Sequence, residues 1–160
     1  MIETMDDRDG WIWLDGQLVP WREARAHALT HALHYGSSVF EGERIYGGRV
    51  FRLAAHSARL LRSARMVDLV IPWTRRQIDA ATRAVVAANG LSEGYVRPIA
   101  WRGSEALGVS GIGTATHLAI APWAWPNYFS GEAKMRGVRL RMAQFRRPAP
   151  ESAPGDSKCG

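Results

Sequence analysis

"SSVFEGERIYGGRVFRL" (residues 37–53) decides how this chain is read. Two strand-like runs, near 38–46 and 49–53, flank Gly47-Gly48, a two-residue hairpin signal. The next stretch, "AAHSARLLRSARMV" (54–67), reads as a helix. Leu60, Leu61 and Ala64 are among its apolar positions, and arginines stand at 59, 62 and 65. A hairpin that feeds a helix predicts a mixed α/β fold.

Working outward gives more of the same. Upstream, "WIWLDGQLVPW" (11–21) places a second hairpin on Asp15-Gly16, after a polar leader over 1–10. Downstream, "IPWTRRQIDAATRAVVAANG" (71–90) predicts a second helix. Thr74 is its N-cap, Ile78, Ala81, Val85 and Ala88 line one face, and Gly90 follows its end. Three further strands are predicted in "GYVRPIAWRG" (94–103), "THLAIAPWAW" (116–125) and "GVRLRMAQF" (137–145). In the last, Val138, Leu140 and Met142 alternate with Arg139, Arg141 and Ala143, a half-buried pattern. The polar stretch 126–134 reads as a linker between a small α/β domain (11–125) and the start of a second domain (135–160). One strand and the Pro-rich "RRPAPESAP" make no core, so the chain is expected to stop early in that domain.

The chain has 160 residues, 21 Lys plus Arg, 15 Asp plus Glu and a formal charge of +6. The arginines are scattered among acidic residues and form no basic run, so no nucleic-acid partner is expected. The single cysteine, Cys159, allows no internal disulfide and no Cys-based metal site. The acidic start "MIETMDDRDG" is no signal peptide, and no apolar run reaches membrane-span length. These features predict a cytoplasmic protein with no membrane partner.

Chemistry concentrates in a few stretches. In an extended 38–46 segment, Phe40, Gly42 and Arg44 share a face: an aromatic wall, a gap and a cation. That suits an anionic ligand with an apolar part, or simply a strand with Phe40 in the core. "GYVRPIAW" puts Tyr95, Arg97, Ile99 and Trp101 on one face, where Arg97 needs either a bound anion or a carboxylate partner. The helix arginines admit a phosphate ligand, with a solvated face the commoner case. His31 and His34 lack metal-ligand partners and read as packing or capping residues, so no metal is expected. Only two of the 21 cations are lysines, Lys134 and Lys158. A lysine retained among arginines suits chemistry that Arg cannot do, such as condensing with an aldehyde. A solvated lysine on a frayed tail is the plainer reading of Lys158.

Together, "THALHYGSSVFEGERIY", "HSARLLRSAR", "YVRPIAWRG", "WAWPNYFSGEAKMRGVRL" and "RRPAPESAPGDSK" resemble the branched-chain amino acid aminotransferases, class IV enzymes that use pyridoxal phosphate. The resemblance runs from about Trp11 onward. It implies the α+β small domain of a fold-type IV enzyme and a homodimer. Lys158 would bond covalently to the cofactor, and Arg59 would hold its phosphate. Tyr95 and Arg97 would line the substrate pocket, the arginine meeting the distal carboxylate of glutamate. Phe40, Trp125 and Tyr128 would wall the branched side chain, with Gly42 and Arg44 in the same block. Tyr35 and Val109 would reach the pocket of the neighbouring subunit.

The implied reaction moves the amino group of leucine, isoleucine or valine to 2-oxoglutarate. D-amino acid aminotransferases and aminodeoxychorismate lyases are the class IV alternatives, and "HALHYGSSVFEG" with "YVRP" favours the branched-chain group. The resemblance also places the pyridine-nitrogen partner in a second domain beyond residue 160. The chain alone is therefore expected to be inactive, a remnant or a binding module, and to expose Trp123, Trp125 and Phe129. Glu43 departs from the aliphatic residue common at its position and is expected to face away from Phe40 and Arg44.

Overall fold

In a computed structural model, residues 4–125 and 131–160 are described. The strands are β1 (Trp11–Leu14), β2 (Gln17–Pro20), β3 (Ser38–Phe40), β4 (Glu43–Tyr46), β5 (Arg49–Val50), β6 (Gly94–Arg102) and β7 (Thr116–Trp123). The helices are α1 (His31–Tyr35), α2 (Leu53–Met66), α3 (Arg75–Ala88) and α4 (Gly131–Arg136). The strands form one antiparallel sheet in the order β2-β1-β7-β6-β4-β5, with β3 also paired to β6. Both hairpins form where the sequence places them. Asp15, Gly16, Gly47 and Gly48 all take positive φ, as a turn that matches strand twist demands.

Helices α2 and α3 cover one face of the sheet. Leu60, Ala64, Ile78 and Val85 pack there against Val39, Ile45, Val96, Leu118 and Ile120. Thr74 caps α3 in a reciprocal capping box with Gln77. Ala88, assigned to the inner face of α3 by its spacing, is exposed. The face turns so that Thr82 and Val86 are buried beside Ile78 and Val85.

Pro98 sits in the long central strand β6, where a missing N–H normally leaves a carbonyl unpaired. Here the chain breaks opposite it. β3 ends at Phe40, β4 begins at Glu43, and the Glu41 N–H donates to the Pro98 carbonyl at 2.8 Å. The N–H and C=O of a strand residue point to the same side, so the donor that proline lacks would also face this gap.

The strand expected over 137–145 does not form: among the described residues no ladder partner lies beside it, and Val138, Leu140 and Met142 are exposed. A two-period pattern chooses a face only when there is a sheet to join. Trp123 and Trp125, expected to be exposed, are half-buried against Tyr95. The most exposed large apolar side chains among the described residues are Met135, Leu140, Met142 and Phe145. Tyr128 and Phe129 fall outside the described residues. No helix among those described is long and apolar enough to cross a membrane.

Candidate active site

The last residues of the chain do not fray. Segment 158–160 lies antiparallel along the free edge of β3: Phe40 N–H donates to the Lys158 carbonyl and Gly160 N–H to the Ser38 carbonyl, each at 3.0 Å. Helix α2 holds the same segment from the side. The Lys158 N–H donates to Ser63 Oγ, and the Ser157 hydroxyl donates to the Ser63 carbonyl, both at 3.1 Å. Backbone pairing therefore fixes where Lys158 projects. Its Nζ lies 4.6 Å from the centroid of the Phe40 ring.

Phe40 belongs to the sheet face that the helices leave open, and a second cation meets the same ring. Arg97 Cζ is 4.6 Å from its centroid, and Arg97 Nη2 donates to Tyr95 Oη at 3.3 Å. Arg97 Nε is buried and has no hydrogen-bond partner among the described residues. A buried guanidinium N–H without an acceptor is costly, and an anionic ligand would satisfy it. Behind it, Tyr95, Trp123 and Trp125 form a cluster with ring centroids 5.0–5.2 Å apart. Gly42 makes room for this cluster, because a Cβ there would collide with Tyr95 Oη. Arg44 Nη1 donates to the Trp125 carbonyl at 3.2 Å and braces the rim.

The alternate residues of the same run point under the helices. Glu41 is fully buried and takes both prongs of Arg59, from Nε at 2.5 Å and from Nη2 at 2.6 Å. His56 Nδ1, one helical turn before Arg59, adds a contact of 2.8 Å. Burial pushes the Glu41 carboxyl up, but the Arg59 and His56 hydrogen bonds outweigh it and hold it below the ordinary carboxylate value. Glu43 faces away from Phe40 and Arg44, as expected, yet neither of its oxygens finds a partner among the described residues. Burial, reinforced by the charges of Glu41 and Asp79, pushes its carboxyl up to about 8.

Phe40, Arg44, Tyr95, Arg97, Trp125 and Lys158 are thus joined by direct contacts. Arg59 stands one helical turn from Ser63, on the α2 face that holds the lysine segment. Tyr35 and Val109 form a separate exposed group: Tyr35 Oη donates to the Leu107 carbonyl at 3.5 Å, and His31 Nε2 contacts the neighbouring Gly108 carbonyl at 3.0 Å. His34 contacts the Ala28 carbonyl. No group of three or more His, Cys, Asp or Glu side chains among the described residues could hold a metal ion. Sequence reading missed Glu41, His56 and Ser63. Glu41 was open to discovery, since the alternation that puts Phe40 and Gly42 on one face puts Glu41 on the other. The Ser63 contact spans 95 positions and leaves no local signal.

A family model described as amino-transferase class IV matches residues 38–158. The branched-chain-amino-acid aminotransferase of Pseudomonas aeruginosa is 47% identical over 148 residues, covering 90% of this chain and 48% of that protein. The branched-chain amino acid aminotransferase of T.th. with pyridoxamine 5'-phosphate superposes with a TM-score of 0.89 at 38% identity, covering 96% of this chain and 52% of that one. The same enzyme complexed with N-(5'-phosphopyridoxyl)-L-glutamate gives 0.86 at 37%, with 96% and 51% covered. Its complex with 4-methylvaleric acid gives 0.84 at 36%, with 96% and 50% covered. The chain spans about half the length of the relatives it matches.

Proposed function

We propose, from the premise that this chain belongs to the class IV aminotransferases, that it serves the transfer of an amino group from leucine, isoleucine or valine to 2-oxoglutarate. The observation that carries this reading is the docking of segment 158–160 on β3, which sets the Lys158 amine over Phe40 beside the unsatisfied Arg97 Nε.

The residues present fit pyridoxal phosphate. A primary amine stands on an aromatic floor, and Arg59, held by two of its nitrogens, keeps an Nη1 edge that makes no hydrogen bond among the described residues. When bound, the cofactor supplies the carbonyl that captures the substrate amine and the conjugated ring that takes up the electron pair as the Cα–H bond breaks. Lys158 would carry the proton between the substrate Cα and the cofactor's aldehyde carbon, a task for a lysine amine and not for a guanidinium. Arg59 binds the phosphate. Phe40 and Trp125 wall an apolar side chain, and Gly42 and Arg44 shape its rim.

Arg97, with Tyr95, pairs with the distal carboxylate of glutamate, so one pocket serves both halves of the exchange. The relative seen with 4-methylvaleric acid, the carbon skeleton of leucine without its amine, and with a glutamate adduct supports that pairing. Tyr35 and Val109 serve the pocket of a second copy in a homodimer.

Borohydride reduction of the chain mixed with pyridoxal phosphate, followed by peptide mass mapping, tests the central assignment. The adduct is expected on Lys158 and absent from Lys158→Ala. Equal labelling of Lys134 would defeat it. Assay of the whole protein with L-leucine, D-alanine and aminodeoxychorismate separates the substrate classes, and turnover of L-leucine alone is expected.

A further inference from the structure

The Arg59 guanidinium reaches the site already committed. Its Nε–Nη2 edge is locked by the two oxygens of Glu41, whose side chain is fully buried, and His56 Nδ1 holds Glu41 Oε2 from a third direction. Glu41 is itself fixed by its main chain, through the hydrogen bond to the Pro98 carbonyl at 2.8 Å. The residue before it, Phe40, gives its N–H to the carbonyl of Lys158. Four residues beyond Arg59, one turn along α2, Ser63 binds the Lys158 backbone and the Ser157 hydroxyl. Glu41 therefore sits where the ladder holding Lys158 and the helix carrying Arg59 meet.

We infer that Glu41 is a positioning residue for the cofactor's phosphate group: its two-pronged bond fixes the plane of the Arg59 guanidinium and turns the Nη1 edge outward. This rests on the reading of Arg59 as the phosphate ligand. A fork between arginine and carboxylate is planar and directional, so anchoring one edge of the guanidinium dictates the direction of the other. The contribution is geometric and not a matter of net charge, because the Glu41 carboxylate cancels the charge of Arg59. The two roles have opposite signs. If Glu41 mattered only through charge, neutralising it would strengthen phosphate binding; if it positions Arg59, the same change weakens it.

The test is the ratio of affinities for pyridoxal phosphate and pyridoxal, measured by titration calorimetry on wild type, Arg59→Met and Glu41→Gln. The two ligands share the ring and the aldehyde, so general loosening of the fold cancels in the ratio. Wild type is expected to prefer the phosphorylated ligand by on the order of tenfold or more, as charge-assisted hydrogen bonds to phosphate imply. Arg59→Met should lose most of that preference, and Glu41→Gln should lose it too while its affinity for pyridoxal stays unchanged. If Arg59→Met loses the preference and Glu41→Gln keeps or increases it, the positioning role is overturned and the phosphate reading stands. If wild type shows no preference, both fall together.

A second measurement needs no variant. The Nε–Hε resonance of Arg59 in ¹⁵N-labelled wild type should exchange slowly with water and barely move on adding pyridoxal phosphate, because Glu41 keeps that edge. A resonance that exchanges as fast as those of the solvated arginines, or moves to a new position with the ligand, overturns the inference.

Discussion

The two faces of the sheet treat charge in opposite ways. On the helix-covered face the ionisable groups that the strands supply are carboxyls. Glu41 is paired from two sides, whereas Glu43, two residues on, is buried with neither oxygen bonded among the described residues. On the open face the charged groups are cations, Arg97 and Lys158, laid over the Phe40 ring. A single run, Phe40-Glu41-Gly42-Glu43-Arg44, supplies both faces by alternation. The contrast teaches that a carboxyl stays ionised under the helices where partners are built for it, as at Glu41, and keeps its proton where they are not, as at Glu43. On the open face Arg97 Nε is buried without an acceptor among the described residues, a cost that a bound anion would relieve.

Breaking the paired side should have the largest effect. Arg59→Met leaves the Glu41 carboxylate buried with only His56, and is expected to cost about 2–4 kcal/mol in urea unfolding, less than for a fully enclosed pair because solvent reaches Arg59. The unpaired side gives a pH signature next in size. With its value raised from 4.5 to about 8, Glu43 in the folded chain holds a proton that the unfolded chain has released. Stability should therefore fall as pH rises from about 4.5 and level off above about 8. Glu43→Gln should remove this slope and match wild type near pH 4.5. At pH 8 it should exceed wild type by a margin on the order of a few kcal/mol at most, measured by unfolding across pH.

The open face is probed by Gly42→Ala. Displacing Tyr95 should weaken the near-ultraviolet dichroism of the Tyr95–Trp123–Trp125 cluster and cost about 1–2 kcal/mol. The smallest effect is expected at the start of β7, where the partly exposed His117 meets Asp15 at 2.5 Å and Glu105 at 2.8 Å. Burial lowers the His117 value, but the two carboxylates outweigh it and raise it. Its contribution is full below about pH 6.5 and fades as pH rises through the raised value. His117→Gln should thus lose no more than about 1 kcal/mol, and only on the acid side, as unfolding on either side of that pH would read.

Much of the fold could be read from residues whose constraints are local. Asp15-Gly16 and Gly47-Gly48 had to turn with positive φ, and Thr74 with Gln77 had to cap a helix. The open-face side chains followed from period-two spacing along 38–46 and 94–102. What escaped the sequence depends on something distant. Val138, Leu140 and Met142 alternate as a strand would, but alternation cannot say whether a neighbour exists. Val86 displaces Ala88 from the α3 interior because the sheet sets the helix's rotation. The Glu41–Arg59 fork joins a strand end to a helix 18 residues on, and only the fold brings them within reach.

The edge pairing of 158–160 with β3 makes the position of the amine a question of parity. Side chains along an extended edge alternate left and right, so the lysine faces Phe40 only while an even-numbered offset separates it from the residue paired with Ser38. Slack in the stretch before Pro154 can absorb a lost or gained residue. With Gly160 still paired to Ser38, a single residue added between Lys158 and Gly160 would turn the same amine to the opposite side without altering one atom of its chemistry.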